Sequence, residues 1–580
     1  MAEDSNSKAP ASSEPQQDNN TTPEKPTSSK AEDEEVEIDP SSASDDDEDT
    51  AAAEPSASAT TLDGASKSKK KRKPRKKKPK STSTTSPSSS SAITAPDPSM
   101  MQRVTDVKDI PALLKQLALQ NNAKAKEGKA PEDYKFWNTQ PVPKFREPPN
   151  LLQTTNGSSG GEETLPEGSI LPDKVCKASV KPDPEPLLEG FEWCLVDLDN
   201  AAELQELYDL LYNHYVEDTD GSFRFNYSAK FLAWALKPPG YNKDWHIGIR
   251  ASRAKNDGDA GDAKPGKLVA FIAGVPAKLK VRSAVLGISE INFLTVHRKL
   301  RSKRLAPVLI KEVTRRCYQV GVYQALYTAG TLLPTPVTTA RYFHRSLDWE
   351  HLYKTGFSHL PQGTSELRQK YKYRVESQTS LKGLRAMKSS DLPAVKALLT
   401  RYLERFGLRQ EFDEQELEHW LCSKQSEGVV WSWVVEDGKG GISDFVSYYL
   451  LESTVLKSQS SPQQQTIRAA YLYYYASSSA FPIPHQPTPT KSALQSTLQS
   501  RLQVLMHDAL ILAKKDDFHV FNALTIMDNP LFLQQSKFEP GDGKLHYYLF
   551  NWRTAKLGGG VNEGLVVDEG KMGGVGVVML

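Results

Sequence analysis

Aromatic residues are confined to one part of this chain, and their distribution indicates which part can fold. The first 99 residues contain no Phe, Trp or Tyr, and Ser, Thr, Pro, Glu and Lys dominate them. Such a segment buries too little apolar surface to offset its ordering entropy, which costs roughly 1–2 kcal/mol per residue. We therefore expect residues 1–100 to be a disordered charged tail. The ~450 residues that follow Asp133 are ample for a large core.

Two blocks of opposite charge follow one another in this tail. An acidic block spans Glu32–Asp49, and a basic block with nine Lys and two Arg spans Lys67–Lys80. Like-charge blocks stay extended and often serve as interaction arms. The basic block suits a phosphate-rich partner through counterion release, and it has no aromatic residue for stacking on bases. A docking arm is one interpretation, and a solvated tail or a chance likeness to a nuclear-localisation signal is the other.

Several classes of protein are excluded or disfavoured by what the sequence lacks. No run approaches the ~20 apolar residues of a membrane span, and the start of the chain has no basic and then apolar signal. The cysteines and histidines are scattered without metal-ligand spacing, so no metal site is expected. A reduced, cytoplasmic protein without an integral membrane segment fits these observations. The four cysteines are Cys176, Cys194, Cys317 and Cys422.

Hydrophobic periodicity predicts alternating strands and helices through the folded part. Before this part, residues 106–120 read as a short amphipathic helix and residues 150–186 as an extended loop. The first half then has a helix capped by Asn200. Its predicted elements are a strand at 191–198, a helix to 216, strands at 245–251, 267–275 and 287–296, a helix at 305–319 and a strand at 322–327.

The second half repeats this order of strand, helix, three strands, helix and strand. Its predicted elements are a strand at 381–387, a helix capped by Asp391, strands at 429–436, 444–451 and 469–475, a helix at 492–515 and a strand at 519–524. We therefore predict an α/β fold in which two similar halves, 101–378 and 379–580, share one saddle-shaped mixed sheet. Two separately linked domains are the alternative.

One segment combines a strand, a basic loop and a helix start. Glu290-Ile-Asn-Phe-Leu-Thr-Val-His297 precedes Arg301-Ser-Lys-Arg-Leu-Ala-Pro307, which opens an amphipathic helix. Free N–H groups at a helix start and nearby cations form a ready site for phosphates. The segment lacks the glycines of a P-loop or a dinucleotide-binding motif, so a basic surface loop remains the alternative.

These residues closely resemble a signature of eukaryotic glycylpeptide N-myristoyltransferases, most of all those of fungi. Lys537-Phe-Glu-Pro-Gly-Asp-Gly543 resembles their second signature, and the resemblance covers about 133–580. The family usually has Cys at Thr295, Lys at Arg298 and Gly at Glu539, and Glu539 is expected to change its turn because Glu resists a positive φ. Further matches are Lys135-Phe-Trp-Asn-Thr-Gln-Pro-Val-Pro143, Tyr327-Thr-Ala-Gly330, Arg341-Tyr-Phe-His-Arg-Ser346 and the glycine-rich, apolar C-terminus.

The resemblance implies two pseudo-symmetric acetyltransferase-like (GNAT-like) halves, of which the first binds acyl-CoA and the second supplies most of the peptide groove. Myristoyl-CoA would be the acyl donor, and no cofactor or metal is required. No Cys or Ser nucleophile is needed, so direct transfer is expected. The implied acyl-CoA residues are Tyr134, Lys135, Phe136, Trp137, Leu294, Thr295, Val296, Ser302, Lys303, Arg304, Leu305, Ala306 and Pro307.

The resemblance also implies the catalytic groups. The backbone N–H groups of Phe293 and Leu294 would form an oxyanion hole, and the C-terminal carboxylate of Leu580 would accept a proton from the substrate amine. Asn292 and Thr328 would help to hold that amine. Without the resemblance, an ordinary buried strand explains Phe293 and Leu294, and a plain apolar strand with a solvated carboxylate explains the chain end.

The acceptor implied is the N-terminal glycine of a protein, with a lysine several residues further on. Ribosome association through Lys67–Lys80 would bring the enzyme to nascent chains, and a monomer is expected. For His344, a purely structural role as a hydrogen-bonding side chain is an alternative of equal weight to peptide binding. The implied peptide-binding residues are Glu217, Asp218, Asp220, Tyr342, His344, Ser447, Tyr474 and Asp542.

Two competing functions make different predictions. An acyl-CoA transferase that acetylates lysines or amines would have a short acyl pocket and no role for the C-terminus. A nonenzymatic ribosome- or RNA-binding protein would depend on Lys67–Lys80 and not on Leu580.

Overall fold

The computed structural model of the chain describes residues 134–144, 167–216, 221–252, 265–456 and 466–580. Four sequence-based expectations lie outside these residues. They are the charged tail at 1–100, its basic block Lys67–Lys80, the helix at 106–120 and the acidic residues Glu217, Asp218 and Asp220.

The described residues form helices, strands and short 3-10 turns. The helices are α1 (Asp173–Ala178), α2 (Ala201–His214), α3 (Ala229–Leu236), α4 (Leu305–Gln319), α5 (Trp349–Lys354), α6 (Glu366–Lys372), α7 (Leu392–Leu403), α8 (Glu414–Leu421) and α9 (Lys491–Lys515). The strands are β1 (Gly168–Ser169), β2 (Phe191–Leu195), β3 (Phe223–Asn226), β4 (His246–Ala251), β5 (Leu268–Val281), β6 (Ala284–Val296), β7 (Gln324–Ala329), β8 (Thr338–Ser346), β9 (Leu384–Ala386), β10 (Leu408–Gln410), β11 (Val430–Glu436), β12 (Ile442–Val455), β13 (Thr466–Ser477), β14 (Val520–Leu524), β15 (Glu539–Phe550), β16 (Trp552–Arg553) and β17 (Val575–Gly576).

A single mixed sheet of 15 strands runs through both halves, and β1 pairs with β16 apart from it. Its main path is β17-β10-β5-β6-β7-β15-β8-β14-β13-β12-β11-β9, while β4 joins β2 to β5 and β3 pairs with β12. The prediction of one α/β fold with a shared mixed sheet is therefore confirmed, and two separately linked domains are excluded.

The duplicated order is longer than the sequence predicted. The series β2-α2-β3-α3-β4-β5-β6-α4-β7-β8 corresponds to β9-α7-β10-α8-β11-β12-β13-α9-β14-β15. In each half the third strand of the antiparallel trio runs parallel to the strand after the long helix, as β6 does to β7 and β13 to β14. The predicted elements are present, and those missed are the short pairs β3-α3 and β10-α8 and the two strands β8 and β15.

The missed strands are the ones that the two halves exchange. β15 of the second half pairs with β7 of the first, and β8 of the first half pairs with β14 of the second. Likewise β3 pairs with β12, and β10 pairs with β5. Each half thus supplies strands to the sheet of the other half. Local sequence carries little signal for a three- or four-residue strand whose partner lies in the other half.

Helix positions follow local signals closely. Asn200 accepts a hydrogen bond from the N–H of Ala202, as a cap should. Helix α4 spans the predicted residues, and its buried stripe includes Leu305, Leu309 and Val313.

Two local predictions were wrong. Asp391 precedes α7 but does not cap it, because its carboxylate accepts from the N–H of Lys388 and pairs with Arg385. Within the predicted loop at 150–186, the described residues include helix α1, which buries Cys176.

The expectation that Glu539 distorts its turn was also wrong. Glu539 lies in β15 opposite His344, and its carboxylate pairs with Lys372 at 2.5 Å. The residue with a positive φ in this segment is Lys537, whose φ of 59° lies in the left-handed region. Glu539 therefore occupies extended backbone, where a side chain is no obstacle.

The C-terminal segment is threaded through the core. Strand β17 runs parallel to β10, and the residues from Val575 to Met579 are all buried. Gly574 crosses the backbone of Gly558 so closely that a Cβ at 574 would lie 2.1 Å from the Gly558 carbonyl oxygen and 2.4 Å from its nitrogen. Glycine is therefore required where this segment enters the core.

We predict that Gly574→Ala destabilises the protein by about 1–3 kcal/mol, since the backbone of Gly558 cannot move aside as a side chain would. Chemical denaturation measures the change in the free energy of unfolding. Gly287→Ala in β6 is the matched control, because nothing lies within 4 Å of a Cβ there. Equal stability of the two variants would contradict this account of the C-terminal segment.

Candidate active site

A cavity opens where β6 and β7 separate. Their parallel pairing runs only from Ile288 opposite Gln324 to Ile291 opposite Tyr327, and the strands diverge beyond it. The resulting space has a volume of about 810 Å³, counting the part open to solvent. It is lined by Trp137, Tyr215, Ile272, Ile291, Asn292, Phe293, Leu294, Ile310, Val313, Thr314, Cys317, Tyr318, Val322, Tyr323, Gln324, Ala325, Tyr327, Thr328, Phe550 and Leu580. The structure thus brings all five predicted catalytic residues to one cavity.

A β-bulge interrupts β6 at the cavity. Phe271 of β5 lies opposite Thr295 and Ala273 lies opposite Asn292, so two residues of β6 face the single residue Ile272. Phe293 has a φ of 57°, which is uncommon for a bulky residue. A bulge takes its extra residue out of the ladder of hydrogen bonds and re-aims the backbone. Here it does so at the two residues predicted to form an oxyanion hole.

The bulge is held from both sides. The Thr295 hydroxyl donates a hydrogen bond to the Phe293 carbonyl at 3.2 Å and so stabilises the bulge. The thiol of a Cys at this position would be a weaker hydrogen-bond donor. The Phe293 ring is buried against the rings of Tyr215 and Tyr227, with centroids 5.7 and 5.3 Å away. Packing and a hydrogen bond therefore maintain the strained conformation.

The Phe293 backbone amide lies beside the Tyr215 hydroxyl at the cavity. Burial raises the pKa of Tyr215, and a hydrogen bond from the Phe293 backbone to its hydroxyl opposes that rise. Because Tyr215 itself lines the cavity, an acceptor placed there is within reach of this amide.

The second half contains a corresponding bulge with a different environment. Val446 lies opposite Tyr475 and Tyr448 opposite Leu472, so β13 has its extra residue at Tyr473–Tyr474. The hydroxyl of Ser447, which faces this bulge, donates to the Tyr474 carbonyl at 2.8 Å and accepts from its N–H at 3.2 Å.

Ile272 of β5 faces the bulge of the first half as Ser447 of β12 faces the bulge of the second half, so the two residues occupy equivalent positions. An isoleucine side chain has no acceptor. The amide of Leu294 is therefore not capped by a side chain from the facing strand as that of Tyr474 is.

Two tyrosines guide the chain end to the cavity. The Tyr474 hydroxyl accepts from the Val578 N–H at 3.1 Å and donates to Gln410 at 3.3 Å. The Tyr547 hydroxyl donates to the Val577 carbonyl at 3.3 Å. These bonds fix the backbone two and three residues before Leu580, which is partly buried at the cavity.

A buried carboxyl group lies beside the predicted amine-binding residue. Glu290 is two residues before Asn292 on the same face of β6, and its Oε1 accepts from the Asn292 amide nitrogen at 2.9 Å. Burial raises the pKa of Glu290 to about 7, and the hydrogen bond from Asn292 partly counters this. The sequence analysis assigned no role to Glu290, although an acid within an apolar strand was an available signal.

The predicted phosphate site is open at the start of α4. Arg304, just before the helix, has a left-handed conformation with a φ of 56°, and no side chain caps the helix. Ser302, Lys303 and Arg304 are exposed, whereas Leu305 and Ala306 are buried and Pro307 is half-buried. The free N–H groups and the cations are thus accessible to an anion.

The other predicted acyl-CoA residues differ in position. Trp137 stacks on Tyr327 in the cavity wall, with centroids 5.4 Å apart. Tyr134 is buried and donates to the Leu332 carbonyl at 2.9 Å, Phe136 packs edge-on against Trp137, and Lys135 is exposed. Thr295 and Val296 are buried but are not among the lining residues.

The predicted peptide-binding residues fall into two groups. Tyr342 lines a small second cavity, Asp542 is exposed, and His344 bonds to Asn522 at 2.7 Å with its Nε2 unpaired. Burial lowers the pKa of His344, so its ring is neutral. Ser447 and Tyr474 instead lie within the core, where they support the second bulge and the chain end.

Comparison with known proteins agrees with this arrangement. Residues 171–340 match the N-terminal domain of myristoyl-CoA:protein N-myristoyltransferase, and residues 354–578 match its C-terminal domain. The glycylpeptide N-tetradecanoyltransferase of Emericella nidulans is 51% identical over 81% of this chain and 88% of its own. That of Aspergillus fumigatus is 52% identical over 77% of this chain and 84% of its own. The chain belongs to the myristoyl-CoA:protein N-myristoyltransferase family.

A solved structure of the same family supports the fold. Saccharomyces cerevisiae N-myristoyltransferase with bound myristoyl-CoA is 42% identical, covers 78% of this chain and 100% of its own, and gives a TM-score of 0.69. The resemblance to fungal members is therefore confirmed, and the chain is an acyltransferase. A nonenzymatic RNA-binding protein is excluded as its principal identity.

Neither a membrane helix nor a metal cluster is found in the part of the chain that the structure describes. No described helix is long and apolar enough to cross a bilayer, and no three potential metal ligands meet among the same residues.

We predict that Glu290→Gln raises the melting temperature relative to the wild type, and more at pH 8 than at pH 5.5. Below pH 4.5 the carboxyl is protonated whether the chain is folded or not. As the pH rises toward 7, the unfolded chain ionises first, so the folded state loses stability, and the loss is complete above pH 7. Thermal melts at the two pH values measure this.

Glu539→Gln is the control with the opposite trend. Burial acts to raise the pKa of Glu539, but hydrogen bonds from Lys372 and Tyr373 lower it overall, so its ionised form stabilises the fold at high pH. A Glu290→Gln effect that does not vary with pH would contradict a raised pKa for Glu290.

Proposed function

We propose that this chain transfers a myristoyl group from myristoyl-CoA to the N-terminal glycine amine of proteins, by direct attack of the amine on the thioester. The observation that carries the proposal is that one apolar cavity receives both the bulge at Phe293–Leu294 and the chain end at Leu580. The names of the matching relatives and the myristoyl-CoA bound to the yeast structure support it.

The donor is bound along the first half. The apolar cavity wall, formed by α4, β7 and Trp137, takes the acyl chain. The open helix start at Arg304, with Ser302 and Lys303, takes the phosphates of CoA. Lys135 adds a positive charge near Trp137.

The bulge stabilises the tetrahedral intermediate. Attack on the thioester carbonyl places negative charge on its oxygen, and the amides of Phe293 and Leu294 donate to that oxygen. Preorganised donors of this kind contribute roughly 3–4 kcal/mol each to the transition state. The left-handed conformation at Phe293 is what lets adjacent amides converge.

The C-terminal carboxylate of Leu580 removes the proton from the amine. A glycine amine with a pKa of about 8 is mostly protonated at pH 7, so a base is needed. The carboxylate oxygen accepts a proton from the ammonium group, and the neutral amine nitrogen then bonds to the carbonyl carbon. The C–S bond breaks, and the second proton that the nitrogen loses goes to the departing CoA thiolate. Asn292 and Thr328 orient the amine from the same cavity.

The peptide is bound mainly by the second half. Tyr342, His344 and Asp542 contact it, and Ser447 and Tyr474 support these contacts from within the core. Glu217, Asp218 and Asp220 attract a lysine several residues into the substrate.

The setting of the reaction is the cytoplasm, where the enzyme acts as a monomer. The basic block Lys67–Lys80 associates with ribosomal RNA through its phosphates and brings the enzyme to nascent chains. Lower salt strengthens this association, which distinguishes it from a solvated tail.

The direct test uses the purified chain with myristoyl-CoA and a peptide that begins Gly-x-x-x-Ser. Free thiol release and a peptide mass increase of one myristoyl group are expected, and the same peptide beginning with Ala shows neither. Transfer of acetyl or other short groups in place of myristoyl would overturn the proposed substrate and leave the fold unaffected.

We predict that deletion of Leu580 lowers kcat by about 100-fold or more, because general-base catalysis contributes about that factor. Leu580→Ala keeps the carboxylate in place and is the matched control, for which we expect a much smaller loss. Steady-state kinetics and thermal melts of both variants separate lost chemistry from lost folding. Near-normal turnover by the deletion variant would refute the terminal-carboxylate mechanism.

We predict that Ile272→Ser lowers kcat about tenfold with little change in the affinity for myristoyl-CoA. A hydroxyl at 272 can accept from the Leu294 amide as Ser447 accepts from that of Tyr474, so the oxyanion loses access to a donor. Ile272→Ala removes the same carbon atoms without adding an acceptor and serves as the control. Equal losses in both variants would indicate a packing effect alone.

A further inference from the structure

We propose that Glu290 is a positioning residue, which holds the side-chain amide of Asn292 with its oxygen toward the reacting amine. The inference rests on the proposed function, in which Asn292 helps to hold that amine.

The geometry leaves one orientation of the amide. An asparagine side chain has a single acceptor, Oδ1, and a donating Nδ2 group. Oε1 of Glu290 accepts from Nδ2 at 2.9 Å, so the nitrogen end of the amide is the end that faces Glu290. The carboxylate therefore binds the nitrogen end of the amide and directs the oxygen end away, toward the cavity that Asn292 lines.

The orientation matters for the chemistry at the amine. A substrate amine approaches with N–H groups, and it needs acceptors that point its lone pair at the thioester carbon. The Leu580 carboxylate is one acceptor in the cavity, and Oδ1 of Asn292 is a second. A reversed amide would present N–H groups to N–H groups, which weakens binding and turns the lone pair away.

The burial of Glu290 has no other explanation among the described residues. Both Glu290 and Asn292 are 8% exposed, and no described ion pair includes Glu290. The titratable groups that face it are Tyr473, Tyr474 and Tyr547, and burial raises the pKa of each, so all three are neutral. A buried carboxyl without a cation is costly, and the polar contact that Glu290 makes among the described residues is with Asn292.

The test is a double-mutant cycle in the full chain. Glu290→Gln keeps the shape and one acceptor but loses the charge, and its amide can also donate to Oδ1. Glu290→Leu removes the acceptor. Each is combined with Asn292→Ala, and kcat and KM for a Gly-x-x-x-Ser peptide, the affinity for myristoyl-CoA and the melting temperature are measured.

In the wild-type background we expect Glu290→Gln to lower kcat/KM for the peptide about tenfold, and Glu290→Leu to lower it further. The affinity for myristoyl-CoA and the folded state at the assay temperature are retained. In the Asn292→Ala background, both substitutions change kcat/KM by less than about twofold, because their effect acts through the missing amide.

Equal losses in the two backgrounds would overturn the inference and leave the proposed function intact. So would a loss of myristoyl-CoA affinity in parallel with the loss of kcat/KM, since that pattern marks a general distortion of the cavity. Absence of myristoyl transfer by the wild type would instead refute the proposed function, and this inference with it.

Discussion

The pairing of β10 with β5 is the contact on which the candidate site depends. Strand β10 belongs to the second half, yet it bonds to β5 of the first half on one side and to β17 on the other. Since β17 ends four residues before Leu580, this inserted strand determines where the chain end reaches the core. The exchange therefore joins the two halves and also brings a C-terminal group to a cavity of the first half.

The two bulges show how one architecture supports two environments. Both lie in the third strand of an antiparallel trio, at Phe293–Leu294 and at Tyr473–Tyr474. In the second half, Ser447 satisfies the backbone, and the local tyrosines fill the space and hold the chain end. In the first half, the apolar Ile272 faces the bulge and the neighbouring strands diverge. The topology is the same in both halves, and the side chain that faces the bulge differs, being Ile272 in one and Ser447 in the other.

Several polar groups around the cavity are specifically bonded. The hydroxyls of Tyr474 and Tyr547 bind the backbone before Leu580, Thr295 braces Phe293, and Glu290 binds Asn292. Each of these contacts orders an atom at the cavity. Because an unpaired polar group in such a place would be costly, the same bonds that stabilise the core also preorganise the site.

The sequence by itself determined the class of fold and the long helices and strands, and its resemblance to a family pointed to five residues that line the cavity. Helix α4 and its basic start follow from periodicity and capping, and the motif around Asn292 and Phe293 indicated the family, because these signals are local. The tertiary structure decided which strands pair, since β3, β8, β10 and β15 find their partners in the other half. It also decided that Ser447 and Tyr474 lie in the core, and that Glu290 faces Asn292, because burial and contact depend on elements distant in the chain.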